Sequence, residues 1–252
     1  MRYFIESSYH GGKYAGWQRQ PHDITVQQIL EEAFSLILRE DIRITGCGRT
    51  DAGVHARQYF FHFDSQGDFT PDLLLRFNKY LPPDIALHHA YRVSEEAHAR
   101  YAAIRRTYQY YITYKKDALA GDLSFWYPYA RQLDKAAMQD VAGLLTAFQE
   151  FKTFCKEGSG AKHHACTIFA SRWTFTDDEA IYTISANRFL RGMVRLIVGA
   201  CLQAGRGSLH VDEVRTALET QAALQKAESA PPQGLHLINV EYPPGLLADG
   251  IL

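Results

Sequence analysis

The residues best suited to chemistry lie in one short run, Gly46-Cys47-Gly48-Arg49-Thr50-Asp51-Ala52-Gly53-Val54-His55-Ala56. Three glycines within eight residues let a backbone take φ > 0 and come close to a partner. They flank an arginine, a threonine and a carboxylate, with a histidine just beyond. The apolar segments on either side read as strands, so the run is a turn that presents polar side chains on a scaffold. Three readings compete. A dinucleotide fingerprint needs a third glycine where this chain has Asp51, and a helix where Gln58 to Phe63 reads as a strand. A carboxylate there would also repel a pyrophosphate. A plain glycine turn would have Asp51 bonding its own backbone. An active-site loop would use Asp51 as nucleophile or base and Arg49 to meet an anionic substrate.

The elements that must position this loop follow from spacing. Arg2 to Ser8 reads as a first strand, followed by a glycine-rich loop, Tyr9 to Gln20, in which aromatics and cations interleave. That mixture suits base stacking and phosphate contact, or else a packed surface loop. Thr25 and Gln28 form a capping-box pattern ahead of a helix with Val26, Ile29, Leu30, Ala33, Phe34 and Ile37 inward. Gln58 to Asp64 is a strand, Thr70-Pro71 starts a second helix, and Ile85 to Val93 is a further strand. The first part therefore reads β-α-β-β-α-β.

Thr107 to Tyr114 alternates Tyr108, Tyr110, Ile112 and Tyr114 on one strand face, with Tyr108 at its entrance two residues after Arg106. Asp134 caps a helix, and Thr167 to Phe175 and Ala180 to Ala186 pair around Asp177-Asp178. Asn187 is expected to open the best helix of the chain, with Leu190, Met193, Val194, Ile197, Val198 and Cys201 as its buried stripe. Arg188, Arg191 and Arg195 then fall on a separate stripe of that helix. Ala230 to Leu235 turns into a last strand ending near Tyr242. The second part repeats the order of the first, without repeating its residues.

Composition sets the outer limits. A chain of 252 residues can bury a sizeable core as one large domain or two small ones. The N-terminus lacks a basic segment followed by an apolar run, and the apolar stretch Met193 to Leu202 is short and interrupted by Arg195, so neither a signal peptide nor a membrane span is expected. Four scattered cysteines without C-x-x-C suit a reducing cytoplasm. Cys155, His163, His164 and Cys166 match no common zinc module. The net charge of −1 is unusual for a nucleic-acid binder, and such a role requires arginines gathered on one face.

Gly48 to Ala56 resembles, residue for residue, the signature of the tRNA pseudouridine synthase A (TruA) family. The resemblance extends along the chain. Tyr9 to Gln20 is similar to the family's Tyr-x-Gly-x-x-Tyr-x-Gly-Trp-Gln-x-Gln element, Arg106-Thr107-Tyr108 to its Arg-x-Tyr, and Phe189 to Arg195 to its Phe-Leu-x-x-Met-Val-Arg. Ala230 to Leu235 is similar to its Ala-Pro-x-x-Gly-Leu. Phe148 to Phe154 departs, with Gln149-Glu150 and Thr153 where the family has His-Asp and Ser.

The resemblance implies an α+β pseudouridine synthase fold: two ferredoxin-like subdomains joined through a mostly antiparallel sheet, with a central catalytic cleft. Residues 1–100 would form the subdomain with the Asp51 loop, and 101–252 the one with Tyr108, Arg195 and Leu235. It implies isomerisation of uridine to pseudouridine at positions 38, 39 and 40 of the tRNA anticodon arm, by a cytoplasmic homodimer using no cofactor or metal. Asp51 would be the catalytic residue and Arg49 the side chain inserted where the base leaves the stem. Tyr108 would stack on the uracil, Arg195 would pair with Asp51, and Leu235 would wall the base. The other enzyme class that Asp51 and His55 admit is a metal-dependent hydrolase, and a non-catalytic RNA-binding module of the same fold is the alternative outside catalysis.

Overall fold

The computed structural model describes residues 1–251 apart from 120, 157, 159, 226, 227 and 249. In chain order its elements begin β1 (Arg2–Tyr9), α1 (Val26–Leu38), β2 (Thr45–Gly46), β3 (His55–Asp64), α2 (Pro71–Tyr80) and β4 (Ile85–Val93). They continue β5 (Arg105–Thr113), β6 (Phe125–Trp126), α3 (Lys135–Leu144), β7 (Ile168–Phe175), β8 (Glu179–Ala186), α4 (Met193–Gly205), α5 (Val211–Thr220) and β9 (Leu235–Glu241). Two compact units result, Met1–Arg106 with His236–Leu252, and Thr107–Leu235. The division at residue 100 expected from sequence leaves the last strand with the second part, whereas its residues from His236 onward lie in the first unit.

In the first unit the expected β-α-β-β-α-β order is present, with β1 central between β4 and β3, and β2 on the far side of β3. All three of these pairings are antiparallel. At the other end of β3, His55 and Ala56 pair in parallel with His236 and Leu237 of β9. Alternation along β3 sends Phe61 and Phe63 toward α1 and α2, where Phe34 stacks on Phe77 at 4.0 Å and meets both strand phenylalanines edge-on. Phe60 points to the opposite face and packs edge-on against Tyr242 at 5.2 Å. Both faces of β3 are thus buried, and the run Tyr59 to Phe63 reads as unbroken hydrophobicity around His62.

Helix α1 starts where its cap pattern places it, with the Thr25 hydroxyl accepting from the Gln28 amide at 3.3 Å. The Gln28 side chain donates one turn onward, to Glu32 at 2.9 Å. Glu31, on the core side of α1, is buried. Its carboxylate accepts from the Ile44 amide and the Gln27 side chain and pairs with Arg19 at 3.1 Å, which satisfies the charge.

In the second unit β8 lies between β5 and β7. The elements again run strand, helix, two strands, helix, through β5, α3, β7, β8 and α4. Met138 and Val141 of α3 are buried, and Gln139 accepts from the Trp173 amide at 2.9 Å. Helix α4 begins at Met193, not at Asn187 as the spacing predicts. Gly192 takes φ 71°, which ends the preceding turn, and Asn187 closes β7 and β8 through paired bonds with Thr167. Arg188 and Arg191 are therefore off the helix. Arg188 donates to the His163 ring, and the three-arginine stripe does not form.

Candidate active site

In the first unit the Asp51 loop is held from beneath by its own scaffold. The Cys47 amide donates to the Phe60 carbonyl at 2.8 Å, and the Tyr59 hydroxyl donates to the Gly48 carbonyl at 2.6 Å. Thr50 is buried, with its hydroxyl 2.9 Å from that of Tyr9. Val54 then donates back to the Asp51 carbonyl at 3.2 Å, closing a turn in which Gly53 takes φ 77°. Asp51 is the first residue of that turn and half-buried, and Arg49 is exposed. These two predicted residues share one loop, two positions apart.

Of the two readings that its composition leaves open, the glycine-rich loop takes the packed one. Tyr9, Tyr14 and Trp17 are all buried. Trp17 lies 4.0 Å from Tyr59, and the Tyr14 hydroxyl donates to Asp84 at 2.5 Å. The loop is a support for the Asp51 turn: the Trp17 amide donates to the Thr50 carbonyl at 3.2 Å, and the Gly53 amide to the Tyr14 carbonyl at 3.3 Å. Gly16, at φ 94°, lies so close that a Cβ would meet the Thr50 carbonyl oxygen at 2.5 Å. His55, after the turn, is buried between His10 and His236, with ring centroids 4.5 and 4.6 Å away, and its Nδ1 accepts from the Gly11 amide.

One residue that spacing did not single out enters here. Arg106 is buried, and its Nε and Nη2 donate to the Cys47 carbonyl at 3.2 and 2.7 Å. Nη2 also donates to the Arg100 carbonyl at 2.6 Å, and Nη1 to the Ala103 carbonyl at 3.4 Å. The signal available in sequence was strand alternation, which turns Arg106 to the same buried face as Tyr108. Next to it, burial pushes the Cys47 thiol up to about 11, so this cysteine stays protonated near neutral pH.

In the second unit Tyr108 is buried at the start of β5, with Phe189 edge-on at 5.1 Å. Phe189 opens the segment that ends in Arg195, within the first turn of α4. Arg195 is half-exposed and its Nε donates to the Ala230 carbonyl at 2.7 Å, while the Ala230 amide donates to the Arg195 carbonyl at 3.0 Å. The segment from Ala230 is fixed further by Tyr110, whose hydroxyl donates to the Pro231 carbonyl at 2.8 Å. A Cβ on Gly234 would meet the Tyr110 ring at 2.7 Å. Burial raises the Tyr110 phenol far above its ordinary range, so it is a structural donor. Leu235 ends the segment and is buried. A glycine that the sequence reading did not single out, Gly199 of α4, lets this chain segment cross the helix, since a Cβ there would collide with the Glu228 carbonyl.

Arg49 and Asp51 thus belong to the first unit, and Tyr108, Arg195 and Leu235 to the second. Among the described residues, no group of three or more His, Cys, Asp or Glu side chains is arranged to hold a metal. No helix among them is long and apolar enough to cross a membrane.

A family model described as tRNA pseudouridine synthase matches residues 148–243. Three relatives named tRNA pseudouridine synthase A match almost the full chain. The protein from Parabacteroides distasonis is 42% identical, over 96% of this chain and 96% of its own length. That from Bacteroides fragilis is 41% identical over 96% and 97% respectively. That from Azobacteroides pseudotrichonymphae is 39% identical, again over 96% and 97%.

Proposed function

The chain belongs to the tRNA pseudouridine synthase A family and is accordingly an isomerase of uridine in tRNA; we propose that it acts at positions 38, 39 and 40 of the anticodon arm. The reaction releases uracil from C1′, turns it and rejoins it through C5. Cleaving a glycosidic bond in this way calls for a positioned carboxylate, which attacks C1′ or C6 or assists elimination. Asp51 is that carboxylate. The observation that carries this assignment is its setting: a half-exposed aspartate heading a turn whose neighbouring backbone is bonded to β3 and to the Tyr9–Gln20 loop.

The remaining roles follow from the family motifs and agree with local surroundings. A uridine in a stem must first be flipped out, at about a few kcal/mol, and an inserted side chain can fill the space. Arg49 is exposed on the same loop, with reach and charge for this task. Tyr108 covers a face of the uracil and accepts the C5 proton late in the reaction. Arg195 binds at the reacting nucleotide, with its guanidinium steadied by Ala230, and Leu235 supplies an apolar wall. The first unit is then the catalytic one, and the second carries Tyr108, Arg195 and Leu235. The enzyme works in the cytoplasm as a homodimer that holds one tRNA across both subunits, and without cofactor or metal.

Tritium release from tRNA labelled at uracil C5 tests the assignment. The wild-type protein should release tritium in chelator, and Asp51→Asn should not while still binding tRNA. Release by Asp51→Asn would overturn the role given to Asp51. Tight binding without release by the wild type would favour the binding module.

A further inference from the structure

We infer that Arg106 is a positioning residue for the reaction, holding the catalytic loop through its backbone. The inference rests on the reading of Asp51 as the catalytic carboxylate. Arg106 is 8% exposed, and a guanidinium is brought out of water only where hydrogen bonds replace its hydration. Here the bonds go to three carbonyls on two segments: Cys47 in the loop, and Arg100 and Ala103 in the stretch that leads into β5. The Cys47 carbonyl receives two of them, a forked contact that only the planar guanidinium can make.

The other anchors of this loop explain why the clamp bears on catalysis. Cys47 is bonded by its amide to Phe60 of β3, so β3 and Arg106 hold the two successive peptide groups that flank its Cα. Four residues later the same chain presents Asp51. A carboxylate that must meet C1′ or C6 within a few tenths of an ångström depends on this backbone, and a misplacement of about 1 Å costs roughly 10²-fold in rate. The tRNA itself is bound over a wide surface of phosphates, which a shift at Cys47 leaves alone. The effect of losing Arg106 therefore falls on the chemical step and not on affinity.

The test compares single-turnover rates and tRNA dissociation constants for wild type, Arg106→Lys, Arg106→Met and Asp51→Asn, each first checked for cooperative unfolding. Arg106→Met should react about 10²-fold more slowly with its dissociation constant within about twofold of wild type. Arg106→Lys keeps charge but not the fork, so it should lose about tenfold or more. If Arg106→Met does not fold, Arg106→Lys decides the matter. A folded Arg106 variant with wild-type rate, or one whose lost rate is matched by lost affinity, overturns the inference. Asp51→Asn separates the two failures: if it reacts, the reading beneath has failed. If it is inert while Arg106→Met runs at full rate, only the role of Arg106 has.

Discussion

Arg195 and Ala230 are joined twice, the Arg195 Nε donating to the Ala230 carbonyl at 2.7 Å and the Ala230 amide donating to the Arg195 carbonyl at 3.0 Å. The first bond fixes the plane of the guanidinium and the second fixes the backbone beneath it. A lysine keeps the charge but has no planar fork to hold in this way. Arg195→Lys and Arg195→Ala are both expected to lose about 10²-fold in turnover, the scale of a misplaced reacting group. Steady-state pseudouridine formation checks this, and a lysine variant near wild-type rate would show that charge alone suffices.

Gly199 allows that pairing, because the 228–230 segment passes where a side chain would stand. Gly199→Ala should destabilise the protein by about 3 kcal/mol, the upper range for overpacking, although alanine is the better helix former by about 1 kcal/mol. Urea unfolding measures it. A neutral or stabilising result would mean that the segment moves aside without loss.

Gly16 plays the corresponding part under the Asp51 turn, with φ 94° and the Thr50 carbonyl against its Cα. Gly16→Ala should lose activity out of proportion to stability, because the displaced group is the peptide next to Asp51. Arg49→Ala touches an exposed side chain, so stability should stay within about 0.5 kcal/mol. Its turnover on folded tRNA should fall about 10- to 100-fold, the equivalent of the few kcal/mol that extruding a base requires. A single-stranded oligonucleotide substrate should narrow that gap, since nothing has to be unstacked.

His62 supplies a pH dependence of stability. Burial first, then Arg2 and His98, lower this imidazole to about 4 from an ordinary value near 6.5, and Asp64 opposes them weakly. Its Nδ1 accepts from the Ala99 amide at 3.1 Å, a bond that protonation there removes. The folded-state value is depressed, so the unfolded chain takes up the proton first as pH falls. The stabilisation is complete above pH 6.5 and is lost progressively toward pH 4. Urea midpoints at pH 7.5 and 5.5 should differ more for the wild type than for His62→Asn, which keeps an acceptor but does not titrate.

Much of this arrangement is legible in the chain. Gly48 to Ala56 announces a turn that presents Asp51, and alternation along Thr107 to Tyr114 places Tyr108 and Tyr110 on one buried face. Periodicity misled at Asn187, where apolar and basic residues keep helical spacing through a segment that Gly192 turns away from the helix. Composition left two readings open in the Tyr9–Gln20 loop. Interleaved aromatics and cations look alike whether the rings face RNA or, as with Tyr9, Tyr14 and Trp17, the protein. Arg106 could be seen to point inward, but which carbonyls it would reach depends on long-range pairing that no local pattern encodes. The same holds for Gly199, whose reason for being glycine lies about thirty residues away at Glu228.

The most direct test of the central claim is to map pseudouridine by mass spectrometry in anticodon arms, after unmodified tRNA is incubated with the protein in chelator. The account predicts pseudouridine at positions 38, 39 and 40 with the wild-type chain and none with Asp51→Ala. Pseudouridine made by Asp51→Ala at the wild-type rate would contradict it.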